Sequence, residues 1–116
     1  MDLAEFESVV EGRRNDWAQV GFAHEFRQPS DEERTRDKYV AMLILTSTEA
    51  EGELLIWTSG EAELGVCYRT DGAIRQQHYD LMGTANLEGA LDDLADLMVH
   101  RPPDDLLYFR PPRSAP

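Results

Sequence analysis

The chain has 116 residues, 23 of them acidic against 11 Lys and Arg, and carries a net charge of −12 at pH 7. That length suits one domain with a real core, while the charge disfavours nucleic acid and anionic membranes, whose phosphates would repel it. Apolar runs fall well short of the roughly 20 residues that span a bilayer, the opening MDLAEFESVV does not read as a secretory leader, and the single Cys67 rules out an internal disulfide and fits a reducing cytoplasm.

Asp2 stands as an N-cap with Glu5 three residues later, a capping-box pattern. Leu3, Phe6, Val9, Val10, Trp17 and Val20 then recur at helical spacing, and Gly21 provides the stop. Residues 22–26 alternate as a first strand with Phe22, His24 and Phe26 on one face. The polar stretch RQPSDEERTRD is a loop, with room for one helical turn starting at Ser30. Residues 38–48, KYVAMLILTST, are apolar on both parities, which predicts a central strand covered at least in part on both sides.

Residues 49–68, EAEGELLIWTSGEAELGVCY, organise the rest. Residues 49–52 read as a turn, and strands at 53–58 and 62–69 are joined by a tight turn at Ser59-Gly60. A two-residue turn there pairs Trp57 with Ala62 and Leu55 with Leu64, placing Leu55, Trp57, Leu64, Val66 and Tyr68 on the core face; a bulge at Gly60 would reverse the faces. Thr70-Asp71-Gly72 is a second hairpin turn, leading to a more polar edge strand at 73–81. Thr84 or Asn86 then caps a helix running to Val99, with Leu87, Leu91, Leu94, Leu97 and Met98 as its apolar stripe and Glu88, Asp92, Asp93 and Asp96 on its wet face. Arg101-Pro-Pro ends it.

The expected fold is therefore α+β and two-layered: an N-terminal helix, an antiparallel five-stranded meander sheet and a C-terminal helix, with the helices on one sheet face. Residues 1–100 form a single domain; residues 101–116 are a Pro-rich C-terminal tail, partly docked through DDLLYF or frayed.

Chemistry is sparse. His78 and Asp80, two apart on a strand, make half a metal site with nothing at ligand spacing to complete it. Cys67 has no activating motif around it, and neither a Gly-rich phosphate loop nor a calcium-loop pattern is present. No catalytic, cofactor-binding or metal residue is assigned, and the chain reads as a non-enzymatic binding protein that takes no cofactor. Its net charge favours a basic protein partner. Two acidic surfaces are candidates for that contact: the hairpin group Glu49, Glu51, Glu53, Glu61 and Glu63, and the helix group Asp92, Asp93 and Asp96 with Glu88.

The order of these features, with GELLIWTSGEAEL at residues 52–64 and above all Trp57-Thr58-Ser59-Gly60 closing a strand, resembles the TriTu-type immunity proteins of bacterial polymorphic toxin systems. The resemblance runs broadly over residues 3–99, and the tail from Arg101 extends beyond it. It implies a cytoplasmic monomer that binds one-to-one to a cognate antibacterial ADP-ribosyltransferase toxin acting on elongation factor Tu, and blocks its active-site cleft. Glu49, Glu51, Glu53, Glu61 and Glu63 are then the charged contacts, Trp57 is the motif residue with a mainly structural role, and Asp92, Asp93 and Asp96 are the second choice. Two other readings stay open: a small acidic secretion chaperone or adaptor, recognisable by an exposed apolar groove and dimerisation, and a small-molecule or enzymatic domain with a deep pocket at His78 or Cys67.

Overall fold

A computed structural model describes residues 2–109. Helix α1 spans Leu3–Gln19, strands β1 to β5 span Ala23–Arg27, Val40–Thr46, Ala50–Trp57, Glu61–Tyr68 and Ile74–Asp80, and helix α2 spans Thr84–Val99. The strands form one antiparallel sheet in the order β1-β2-β3-β4-β5. The α+β meander read from the sequence is the observed fold.

Local chemistry sets the element ends. The Asp2 carboxylate accepts from the Ala4 amide at 2.9 Å, capping α1. Glu5 does not close a capping box; it accepts the Thr84 hydroxyl and so joins α1 to the start of α2. Val20 closes α1 and Gly21, at φ 83°, turns the chain into β1. In the β1–β2 loop the Ser30 hydroxyl accepts from the Glu33 amide at 3.2 Å and donates to the Glu33 carboxylate at 3.1 Å, at the start of one 3-10 turn at Glu33–Thr35. α2 starts after Gly83 without a side-chain cap, since Asn86 instead accepts from the Met82 amide at 3.0 Å.

Both helices pack on the same sheet face. α1 seats Phe6 edge-on against Phe26, 4.8 Å between centroids, and lays Trp17 beside His24. α2 crosses β3 at Gly52, where an added Cβ would lie 2.8 Å from Leu94 Cδ1 and 2.9 Å from Met98 Sδ. The core between the layers holds Phe6, Val10 and Trp17 of α1, Leu87, Leu91 and Leu94 of α2, and Leu43, Leu45, Leu54, Ile56, Leu64 and Val66 of the sheet. Two tyrosines tie α2 down: Tyr68 donates to the Leu97 carbonyl at 2.5 Å and Tyr79 to the Asp93 carboxylate at 2.7 Å.

Three expectations are corrected. The β2–β3 turn lies at residues 47–49 and β3 already begins at Ala50, with Ala50 and Gly52 buried under α2. The β3–β4 connection is three residues, 58–60, with the Gly60 amide bonded to the Trp57 carbonyl at 2.9 Å and Gly60 at φ 92°. The extra residue shifts the register by one: Leu54 faces Leu64 and Ile56 faces Ala62. Leu54, Ile56, Ala62, Leu64, Val66 and Tyr68 are therefore the core face, and Leu55 and Trp57 stand half-buried on the other. Finally, β2 is covered by helices on one side only: Ala41, Leu43 and Leu45 are buried, while Val40, Met42 and Ile44 are half-buried on the opposite face.

Past α2, Arg101 donates twice to Asp71, at 3.0 and 2.7 Å, and lies 5.4 Å from the Tyr68 ring centroid. Those contacts, together with the Asp71 bond from the Ala73 amide, hold the Asp71 carboxyl below its ordinary range. The tail then runs beside β5, where Ile74 and Tyr108 exchange amide–carbonyl bonds of 2.8 and 2.7 Å. The docked tail is observed up to Phe109; residues 110–116 lie outside the described part.

Candidate functional site

Side chains alternate across a strand, so the register decides which residues meet on the helix-free face. Three cross-strand rows lie there. Arg27, Met42, Leu55, Glu63 and His78 form one; Glu25, Ile44, Glu53, Gly65 and Gln76 the next; Ala23, Thr46, Glu51, Cys67 and Ile74 the third. Beyond the first row Trp57 neighbours Val40, and Glu61 neighbours Asp80. Val40, Met42, Ile44, Leu55 and Trp57 make an apolar strip on β2 and β3, and carboxylates surround it, with Glu51 and Glu53 on β3 itself.

The one-residue shift at Gly60 brings Trp57 onto the same surface as Glu51, Glu53, Glu61 and Glu63. Trp57 is not the core anchor that a two-residue turn would have made it. Glu49 stands apart, exposed in the β2–β3 turn at the end of the sheet. Asp92, Asp93 and Asp96 lie on α2, behind the opposite face, and cannot share one contact patch with the hairpin acids. Two of them are also engaged within the chain: Asp92 pairs with Arg13 at 2.6 Å, and Asp93 accepts the Tyr79 hydroxyl. Burial, with that bond and the Asp93 charge, pushes the Tyr79 hydroxyl well above its ordinary range.

Most border acids hold an exposed cationic neighbour. Arg27 pairs with Glu25, Arg69 with Glu51 at 3.9 Å, and Lys38 with Glu61. Lys38 Nζ also sits 5.7 Å from the Trp57 ring centroid. His78 lies between two carboxylates, with Nδ1 2.6 Å from Glu63 and Nε2 3.2 Å from Asp80. The bonds to Glu63 and then to Asp80 raise its pKa above the ordinary 6.5. His78 and Asp80 were the half metal site of the sequence; among the described residues no group of three or more His, Cys, Asp and Glu is placed to hold a metal ion. Cys67 is exposed beside Glu51 and Ile74.

The part of the surface that sequence reasoning missed is Val40, Met42, Ile44 and Leu55. A run apolar on both parities signals two apolar faces but not whether protein of the same chain covers each.

Comparison with protein-family models, with curated proteins and with solved structures returns no match. No helix of the described residues is long and apolar enough to cross a membrane. By its own geometry the chain is an α+β domain that presents one face of its sheet, an apolar strip with carboxylates around it.

Proposed function

We propose that this protein is an immunity protein. It is a non-enzymatic cytoplasmic binder that neutralises a cognate secreted antibacterial toxin, an ADP-ribosyltransferase in the family it resembles, by one-to-one occupation of the active-site cleft. The observation that carries the reading is the convergence of Glu51, Glu53, Trp57, Glu61 and Glu63 on the helix-free sheet face. A cleft that holds the pyrophosphate of NAD is basic, and an acidic surface with an apolar strip complements it in charge and in the area it can bury. The exposed ion pairs of the border are individually weak and exchange readily for a partner's Lys and Arg.

The test is whether the adjacent gene encodes a toxin-like C-terminal domain, whose absence overturns the reading, and then co-expression with that domain followed by size-exclusion chromatography. A stable one-to-one complex and restored growth are expected. Failure to rescue growth overturns the reading; elution of the protein alone as an obligate dimer favours a secretion chaperone or adaptor instead.

A further inference from the structure

Beside the apolar strip of β2 and β3 the open face drops into a hollow of about 620 Å³, whose lining includes Glu51, Glu53, Gly65, Cys67 and Gln76 and also Asp71, a carboxylate already held by Arg101. The floor is Gly65, in mid-strand between Glu53 and Gln76. Neither backbone nor packing demands glycine there. Gly65 is not among the glycines at positive φ, and an added Cβ would meet only Glu53 Cγ at 3.7 Å and Oε1 at 3.8 Å, ordinary contact distances. A glycine inside a strand weakens it and often marks close approach by another molecule.

Glu53 leans over this floor. Of the six acids on the face, Glu25, Glu51 and Glu61 each have an Arg or Lys within 4 Å, Glu63 and Asp80 share His78, a cation only when protonated, and Glu53 has no such neighbour among the described residues. Next to it on β2 stands Ile44, with Met42 and Val40 along the same strand.

We propose that the Gly65 hollow is a socket for a Lys or Arg side chain projected by a protein partner, with Glu53 receiving the cation and Val40, Met42 and Ile44 receiving the apolar residues beside it. This rests on the reading of the protein as a binder of a basic protein surface, and names the feature that surface must carry. A second copy of the chain does not fit: a two-fold contact would set this acidic face against itself. Nucleic acid offers neither the cation nor the apolar flank.

The probe is a short blocked peptide alternating Leu and Arg, titrated into labelled protein and followed by amide chemical shifts. A citrulline-for-Arg version keeps its shape without the charge, and an Arg-only peptide of equal charge lacks the apolar flank. The Leu–Arg peptide is expected to move Glu53, Gly65, Gln76 and the β2 amides, and each control to bind about tenfold more weakly. Glu53→Gln and Gly65→Thr are each expected to weaken binding by about tenfold. Neither should lower the melting temperature, and a β-branched residue at 65 should raise it. Shifts confined to the helices, no shifts at millimolar peptide, equal binding of either control, or undiminished binding by the folded variants overturns the socket. The same variants in the toxin co-expression separate the two claims. Toxin binding untouched by both removes the socket and leaves the immunity reading; peptide binding at the socket without rescue by the wild-type protein removes the immunity reading and leaves the socket.

Discussion

Gly52→Val tests how closely the layers are packed. Gly52 faces α2, and a Cβ there would lie 2.8 Å from Leu94 Cδ1 and 2.9 Å from Met98 Sδ, closer than side chains tolerate. Both groups end flexible side chains, but Leu94 and Met98 are themselves buried and have little room to turn. Overpacking of this kind costs about 1–3 kcal/mol. Removing a strand glycine returns about 0.5–1 kcal/mol. The net expectation is a loss of up to about 2.5 kcal/mol, centred near 1 kcal/mol, a fall of roughly 4 °C in melting temperature for a domain of this size. Gly65→Val is the matched control: the same exchange on the neighbouring strand, facing outward, with its nearest neighbour at 3.7 Å. It should be neutral or stabilising by about 0.5–1 kcal/mol. Thermal and urea melts of the two variants measure the difference. A Gly52→Val protein that melts at or above wild type, or a control that loses as much, would refute the close contact between α2 and β3.

Gly60→Ala should cost about 1–3 kcal/mol by urea melts, because its φ of 92° is unfavourable with a Cβ that would also lie 2.7 Å from the Leu81 carbonyl oxygen. Trp57→Ala should cost only about 1–2 kcal/mol, since the half-buried ring leaves less area to lose than a core tryptophan, while toxin or peptide binding falls much further; a large melting shift with intact binding would place Trp57 in the core after all. Glu63→Gln should lower the His78 midpoint towards its ordinary value in an NMR titration, as the Glu63 bond is the largest cause of the raised pKa. Because that pKa is raised on folding, the His78 contribution to stability is complete below about pH 6.5 and is lost as pH rises through the folded value; the wild-type melting temperature should carry that pH dependence and Glu63→Gln should flatten it.

The helices and strands were legible from pattern and run length. Leu87, Leu91 and Leu94 mark one stripe of α2, and β2 shows as an unbroken apolar run of strand length that does not say which of its faces is covered. The face of the hairpin was not. Ser59-Gly60 looks like a complete two-residue turn, and only the pairing of Ile56 with Ala62 shows that Thr58 belongs to the loop as well. One residue of register exchanged the core face for the surface and moved Trp57 with it. The start of β3 was hidden for a related reason: Ala50, Glu51 and Gly52 have turn-like chemistry, and what makes them a strand is α2 resting on the side chain Gly52 lacks. The split between the two acidic groups was equally unreadable, because it depends on which side of the sheet α2 takes.

In β3 and β4 core and surface residues are interleaved one for one, so the hairpin carries two messages in alternate letters. The helices read Ala50, Gly52, Leu54 and Ile56; whatever meets the open face reads Glu51, Glu53, Leu55 and Trp57. If the open face is the binding surface proposed above, substitution in the second set changes the contacts offered to a partner while leaving the helix-facing core as it is, so a new partner can be reached one residue at a time. The same arrangement makes residues 58–60 the most sensitive punctuation in the chain. A gain or loss of one residue there would hand each message to the wrong reader and spoil core and surface together.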